Sequence, residues 1–126
     1  MKGALLVAVV AAFAFDASAA DAAHGKQLYE QCAACHSLKA GEVLLGPSLA
    51  GVIGRKAGAL DEFRYSPPMK RSTIVWTRET IGAFLAEPQK DIPGNRMPYS
   101  GMPEAKDRED LLEYLIASTA SATPQK

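Results

Sequence analysis

Apolar residues gather in four stretches of this chain, and the spacing inside each predicts a different element. The first, "ALLVAVVAAFAF" (residues 4–15), is continuous and has no polar face. The second, "DAAHGKQLYEQCAA" (21–34), sets Leu28, Cys32 and Cys35 on one side of a helix, with Asp21 as its N-cap. In the third, "RETIGAFLAE", Ile81, Phe84 and Leu85 form a helical stripe behind a capping Thr77, and Pro88 ends it. The fourth starts near Asp107, where Asp107 and Asp110 are expected to cap the helix and suit the positive end of its dipole. Its buried stripe is Leu111, Leu112, Tyr114, Leu115 and Ile116, and the tail "STASATPQK" is expected to fray.

The intervening segments carry no sustained period. "GEVLLGPSLAGVIGRKAG" (41–58) is rich in glycine, and "QKDIPGNRMPYSGMPEA" (89–105) holds three prolines and two glycines, so both are expected as loops. "LDEFRY" (60–65) is expected to make one helical turn that Pro67 and Pro68 stop. The predicted class is all-α, with three main helices joined by long loops. Long structureless loops are unusual in a compact domain, unless they wrap a large prosthetic group that supplies the missing core.

Composition narrows the functional classes. Fourteen Lys and Arg balance fourteen Asp and Glu, and a chain without a basic face is not expected to bind nucleic acid. No block of like charge reads as an interaction tail, and no repeat period is visible. The first stretch changes the picture more. Lys2, the apolar run and the small residues Ala17-Ser18-Ala19 have the form of an export signal. The run is shorter than the roughly 20 residues of a membrane helix. Residues 1–19 are therefore expected to be cleaved near Ala19 or Ala20 rather than to anchor the protein. Residues 20–126 make one domain, formally neutral because the cut removes both Lys2 and Asp16. Its expected place is the periplasm, an oxidising space.

"QCAACHS" (31–37) holds both cysteines and one of the two histidines. A disulfide across so short a loop removes little chain entropy, so stapling does not explain it. A tetrahedral zinc site needs four ligands, and beyond Cys32, Cys35 and His36 only His24 is left; recruiting it would break the helix they share. A redox-active dithiol follows a strand and opens a helix, whereas this motif closes one. Covalent haem attachment needs what is present: two thiols spaced to add across the haem vinyl groups, followed by a histidine that lies beneath the iron. The export signal and the core-poor loops favour this third chemistry.

A sixth iron ligand would come from Met69, Met97 or Met102. Met69, just after two prolines, reads as core filler. Met97 follows "IPGNR" in a loop tight enough to project a side chain inward, and Met102, in the same loop, is its competitor.

On these residues the mature chain resembles class I (mitochondrial-type) cytochrome c over nearly its whole length. The matching stretches, in the family's order, are "GKQLYEQCAACH", "GPSLAGVIGRKAG", "FRYS", "TIVW", "ETIGAFLAEPQKDIPGNRM" and "DREDLLEYL". The resemblance implies the cytochrome c fold around one haem c, covalent through Cys32 and Cys35, with His36 and Met97 as metal ligands. It implies that the Pro47 carbonyl accepts the other ring N–H of His36. Tyr65 and Trp76 would hydrogen-bond a haem propionate, and Arg55 would ease the burial of its charge. Gly25 and Leu111 would meet between the first and last helices, with Tyr114 alongside.

The chain also departs from that pattern. Phe84 stands where the family has a tyrosine donating to the axial sulfur, which implies a lower potential; Asn95 replaces a threonine and Tyr99 a phenylalanine. The segment from Gly25 to Cys32 is one residue short, so either Leu28 or Tyr29 fills the aromatic pocket between helices. Gln31, Leu44, Gln89, Pro103 and Glu104 stand where docking lysines are found, and only Lys90 and Arg96 keep a positive charge. The resemblance implies a soluble, monomeric one-electron carrier serving redox protein partners, with no enzymatic activity and no stable membrane anchor. The alternative readings are a cytochrome subunit of a periplasmic dehydrogenase complex and a haem-based ligand-binding or sensor protein.

Overall fold

The computed structural model describes residues 19–120. Residues 1–18, where an export signal is expected, and the end of the tail, 121–126, lie outside the described residues. Three longer helices, α1 (Ala22–Ala33), α3 (Arg78–Ala86) and α5 (Ala105–Thr119), are joined by loops that hold two short ones, α2 (Pro67–Arg71) and α4 (Pro88–Asp91). A single antiparallel bridge, Lys56 to Val75, is the extended pairing among the described residues.

Two helix starts follow from local chemistry. The Asp21 carboxylate accepts from the amides of Ala23 and His24 at 2.9 and 3.1 Å, satisfying donors that the first turn of α1 leaves orphaned. At α3, Thr77 and Thr80 cap each other. The Thr80 amide donates to Thr77 Oγ1 at 3.2 Å, and the Thr77 amide to Thr80 Oγ1 at 2.7 Å.

Elsewhere the structure corrects the expectation. Pro67 and Pro68 do not stop a helix; they open α2 behind Ser66, whose hydroxyl accepts from the Met69 amide at 3.3 Å. A proline in the first turn loses only an N–H that had no partner there. Pro88 opens α4 in the same way. α5 begins at Ala105 with no side-chain cap, so only Asp107 lies in its first turn. The helix also runs on through Thr119, whose hydroxyl donates to the Leu115 carbonyl at 2.7 Å, so Ser118 and Thr119, expected to fray, are helical.

Asp110 is not a cap but a buried tie between α5 and α1. Its carboxylate accepts from the Asp21 amide at 2.7 Å and from His24 Nδ1 at 2.9 Å, and it pairs with Lys106. The helices approach closely beside it: a Cβ at Gly25 would lie 1.9 Å from the Asp110 carbonyl oxygen and 2.9 Å from Tyr114 Cβ. Tyr29, not Leu28, fills the aromatic pocket, its ring 5.5 Å from that of Tyr114. Of the predicted α5 stripe, Leu111, Leu112 and Leu115 are buried with Tyr29, Ile81 and Leu85 in one cluster, while Tyr114 and Ile116 are half-buried at its margin. Loop residues Leu49, Ile53, Trp76, Met97 and Tyr99 pack against this cluster.

Lys106, then the Asp21 amide and His24, hold the Asp110 carboxyl well below the usual carboxylate range. A depressed folded-state pKa stabilises above the unfolded value of about 4 and stops doing so as pH falls through the folded value. Asp110→Asn should therefore melt below the parent at pH 7, and the gap should close as the pH is lowered from about 4 into the acid limb. A gap that is constant with pH would show that the charge does not carry the tie.

Candidate functional site

Between the helices and the loops lies a cavity of about 590 Å³, the size of a cofactor pocket. Its wall is largely apolar: Val52, Ile81, Phe84, Leu85, Leu111 and Leu115 face it from three directions. The two segments without periodicity wrap it, one through Pro47 and Arg55, the other through Arg96, Met97 and Pro98.

The motif at 32–36 sits where α1 ends. The amides of Cys35 and His36 both donate to the Cys32 carbonyl, at 3.0 and 2.9 Å, and this tight turn puts Cys32, Cys35 and His36 on one wall. Both cysteines are unpaired and half-buried, and burial pushes the Cys32 thiol pKa up. His36 Nδ1 donates to the Pro47 carbonyl at 2.8 Å. Because a carbonyl can only accept, the ring proton is on Nδ1 and the Nε2 lone pair is left for another partner. Burial lowers the imidazole pKa, and the Pro47 carbonyl works against it. The close approach depends on Gly46, where a Cβ would lie 2.6 Å from His36 Cε1. Tyr29 adds a contact absent from the sequence reading: its hydroxyl donates to the His36 carbonyl at 2.7 Å. Burial pushes that phenol up to about 12, so it is a donor at any ordinary pH.

Arg55, Tyr65 and Trp76, widely separated in sequence, are brought together on another part of the wall. Arg55 is 5 % exposed. Its Nη atoms donate to the carbonyls of Ser48 and Ala50 at 2.7 and 2.6 Å, and its Nε is buried without a partner. A buried cation solvated by neutral carbonyls, with a donor to spare, suits an anionic group placed in the cavity. Burial lowers the Arg55 pKa, with Tyr65 opposing, and raises that of Tyr65. Trp76 is fixed to Arg55 by the backbone, its amide donating to the Arg55 carbonyl at 2.8 Å, and its ring lies 5.3 Å from Phe84.

The three methionines separate. Met97 is on the cavity wall. Met102 is 5 % exposed in the helical core, with its amide bound to the Leu85 carbonyl at 2.7 Å. Met69, expected as core filler, is instead on the cavity wall at the half-buried face of α2. The pattern Ser-Pro-Pro, read as a helix start, would have found it. Leu45 lies at the cavity mouth and is 81 % exposed, beside exposed Val43 and Leu44. His24, held by Asp110, stands apart from the motif at the other end of α1.

A haem fits these residues: an apolar cavity of the right scale, two thiols at the wall, an imidazole with a free Nε2, a thioether, and a buried cation for a propionate. The family model described as "Cytochrome c" matches residues 22–118. A cytochrome c of Tetrahymena pyriformis is 45 % identical over 96 residues, spanning 75 % of this chain and 86 % of its own length. Cytochrome c2 of Blastochloris viridis is 38 % identical over 108 residues, 85 % of each chain. Among solved structures, cytochrome cH from Methylobacterium extorquens superposes with a TM-score of 0.72 at 35 % identity, covering 77 % of this chain and 98 % of that one. The protein belongs to the class I cytochrome c family, and is thus an electron carrier with one haem c bound covalently at Cys32 and Cys35.

Proposed function

We propose that the protein is a soluble, monomeric periplasmic one-electron carrier, and that His36 and Met97 are the residues that would hold its haem iron. The observation that carries this reading is the pairing of a tautomer-locked imidazole with a thioether on the wall of one cavity, while Met102 is used up in the core. The bound haem supplies a one-electron ferric/ferrous couple. The chain's own residues tune it: the thioether and the low-dielectric wall both favour the ferrous state, giving a positive potential. Arg55 offsets propionate charge, with Tyr65 and Trp76 as further donors on the same wall. With His36 and Met97 both holding the iron, no position on it would be left for a substrate, so the protein would carry electrons and not act as an enzyme.

Location and partners follow from the sequence features. Residues 1–19 have the form of an export signal, the family match begins just beyond them at residue 22, and no helix of the described residues is long and apolar enough to cross a membrane. The partners are redox proteins. Few charges stand at the docking positions, and exposed Leu45, next to exposed Leu44, borders the cavity mouth, so association should depend little on ionic strength. The same exposed leucines favour a second reading, a cytochrome subunit held by a periplasmic dehydrogenase.

Two variants test the ligand assignment and its tuning. Met97→Ala should abolish the near-red iron–sulfur charge-transfer band of the ferric protein and lower its midpoint potential, whereas Met69→Ala should keep the band; an unchanged spectrum in Met97→Ala refutes the assignment. Phe84→Tyr should raise the midpoint in a redox titration by restoring a hydroxyl donor on the wall. A midpoint that stays put or falls would contradict that role.

A further inference from the structure

Asn95 is two residues before Met97, only 7 % exposed, and fully engaged. Its Oδ1 accepts from the Met97 amide at 2.9 Å. Its Nδ2 donates to the carbonyls of Pro88 and Ile92 at 2.8 and 2.9 Å. Its own amide donates to Ile92 at 3.2 Å, and its carbonyl accepts from Gln89 Nε2 at 2.9 Å. Gln89 closes the ring by accepting from the Gly94 amide at 3.2 Å. The bond to Met97 is the local turn that Asn commonly makes. The two Nδ2 bonds are different, because they reach back to the first residue of α4 and to Ile92 just past its end, fastening the turn to a helix. On the far side of Met97 the chain rejoins the core where the Met102 amide meets the Leu85 carbonyl.

Met97 therefore hangs between two anchors, and the nearer one is a single side-chain amide. Withdrawing Met97 from the cavity requires the Asn95 turn to move, which breaks both buried Nδ2 bonds and leaves the Pro88 carbonyl with the Ile92 amide alone. We propose that Asn95 is a positioning residue that sets how readily Met97 leaves the haem iron. This rests on the reading of Met97 as axial ligand. Its consequence is that an external ligand binds the iron only in the fraction of molecules whose latch is open, so its apparent affinity reports that fraction.

The test is a spectrophotometric titration of the ferric, haem-loaded protein with imidazole. Asn95→Ala should raise the apparent affinity about tenfold or more. Asn95→Thr, whose hydroxyl can still accept from the Met97 amide but cannot span both the Pro88 and Ile92 carbonyls, should raise it less. In a Met97→Ala background imidazole should bind tightly, and adding Asn95→Ala should change nothing further. An affinity within about twofold of the parent in both variants, whatever happens to the melting temperature, overturns the proposal. So does an equal rise that persists without Met97. If Met97→Ala by itself leaves imidazole affinity unchanged, the axial-ligand reading is what has failed, and the latch falls with it.

Discussion

Leu111 and Leu115 of α5, Ile81, Phe84 and Leu85 of α3, and Val52 from the first long loop all line one cavity, although most of them also pack on one another. A polypeptide of this size has little apolar surface to spare, and one that points so much of it at a space of about 590 Å³ depends on what fills that space. In this family the filler is haem c, and the thioether bonds at Cys32 and Cys35 make it part of the chain. The two long loops become intelligible on the same ground. Each meets the helical core at a buried residue, Val52 or Met102, and gains a larger apolar partner in the macrocycle.

The polar groups are arranged around that apolar centre with few to spare. His36 is held at its amide by the Cys32 carbonyl, at its own carbonyl by Tyr29 and at its ring by Pro47. Met97 is held at its amide by Asn95. Both loops thus gain their order where they grip a residue facing the cavity, Gly46-Pro47 on one side and Asn95 on the other. Arg55 is the exception that marks the ligand. Its unpartnered Nε, in a side chain otherwise solvated by carbonyls, fits a chain built to bury an anion that the protein itself does not supply.

What could be read from the sequence, and what could not, divides along the range of the interactions. Asp21 and Thr77 act on amides two or three residues away, so their caps were legible, as was the stripe of Ile81, Phe84 and Leu85. Asp110 has the same local character as a cap, but its partners lie on α1, and nothing in the neighbouring residues announces them. Pro67 and Pro68 were misread because proline ends one helix as readily as it begins the next, and Ser66 decided the matter. The covalent motif and the family order of the matching stretches pointed to the haem before any geometry did. The choice between Leu28 and Tyr29 needed the helix crossing itself, since the segment is one residue short and Tyr29 earns its position by meeting both Tyr114 and the His36 carbonyl.

If haem is the core, removing it should remove the fold. The most direct measurement is the far-ultraviolet circular dichroism and thermal melting of the chain in which both Cys32 and Cys35 are replaced by alanine, so that no haem is bound covalently, compared with the haem-loaded protein. The account predicts a largely unfolded chain, with most helical signal lost and no cooperative melt. A haem-free chain that keeps the helical content of the loaded protein and melts cooperatively would contradict it.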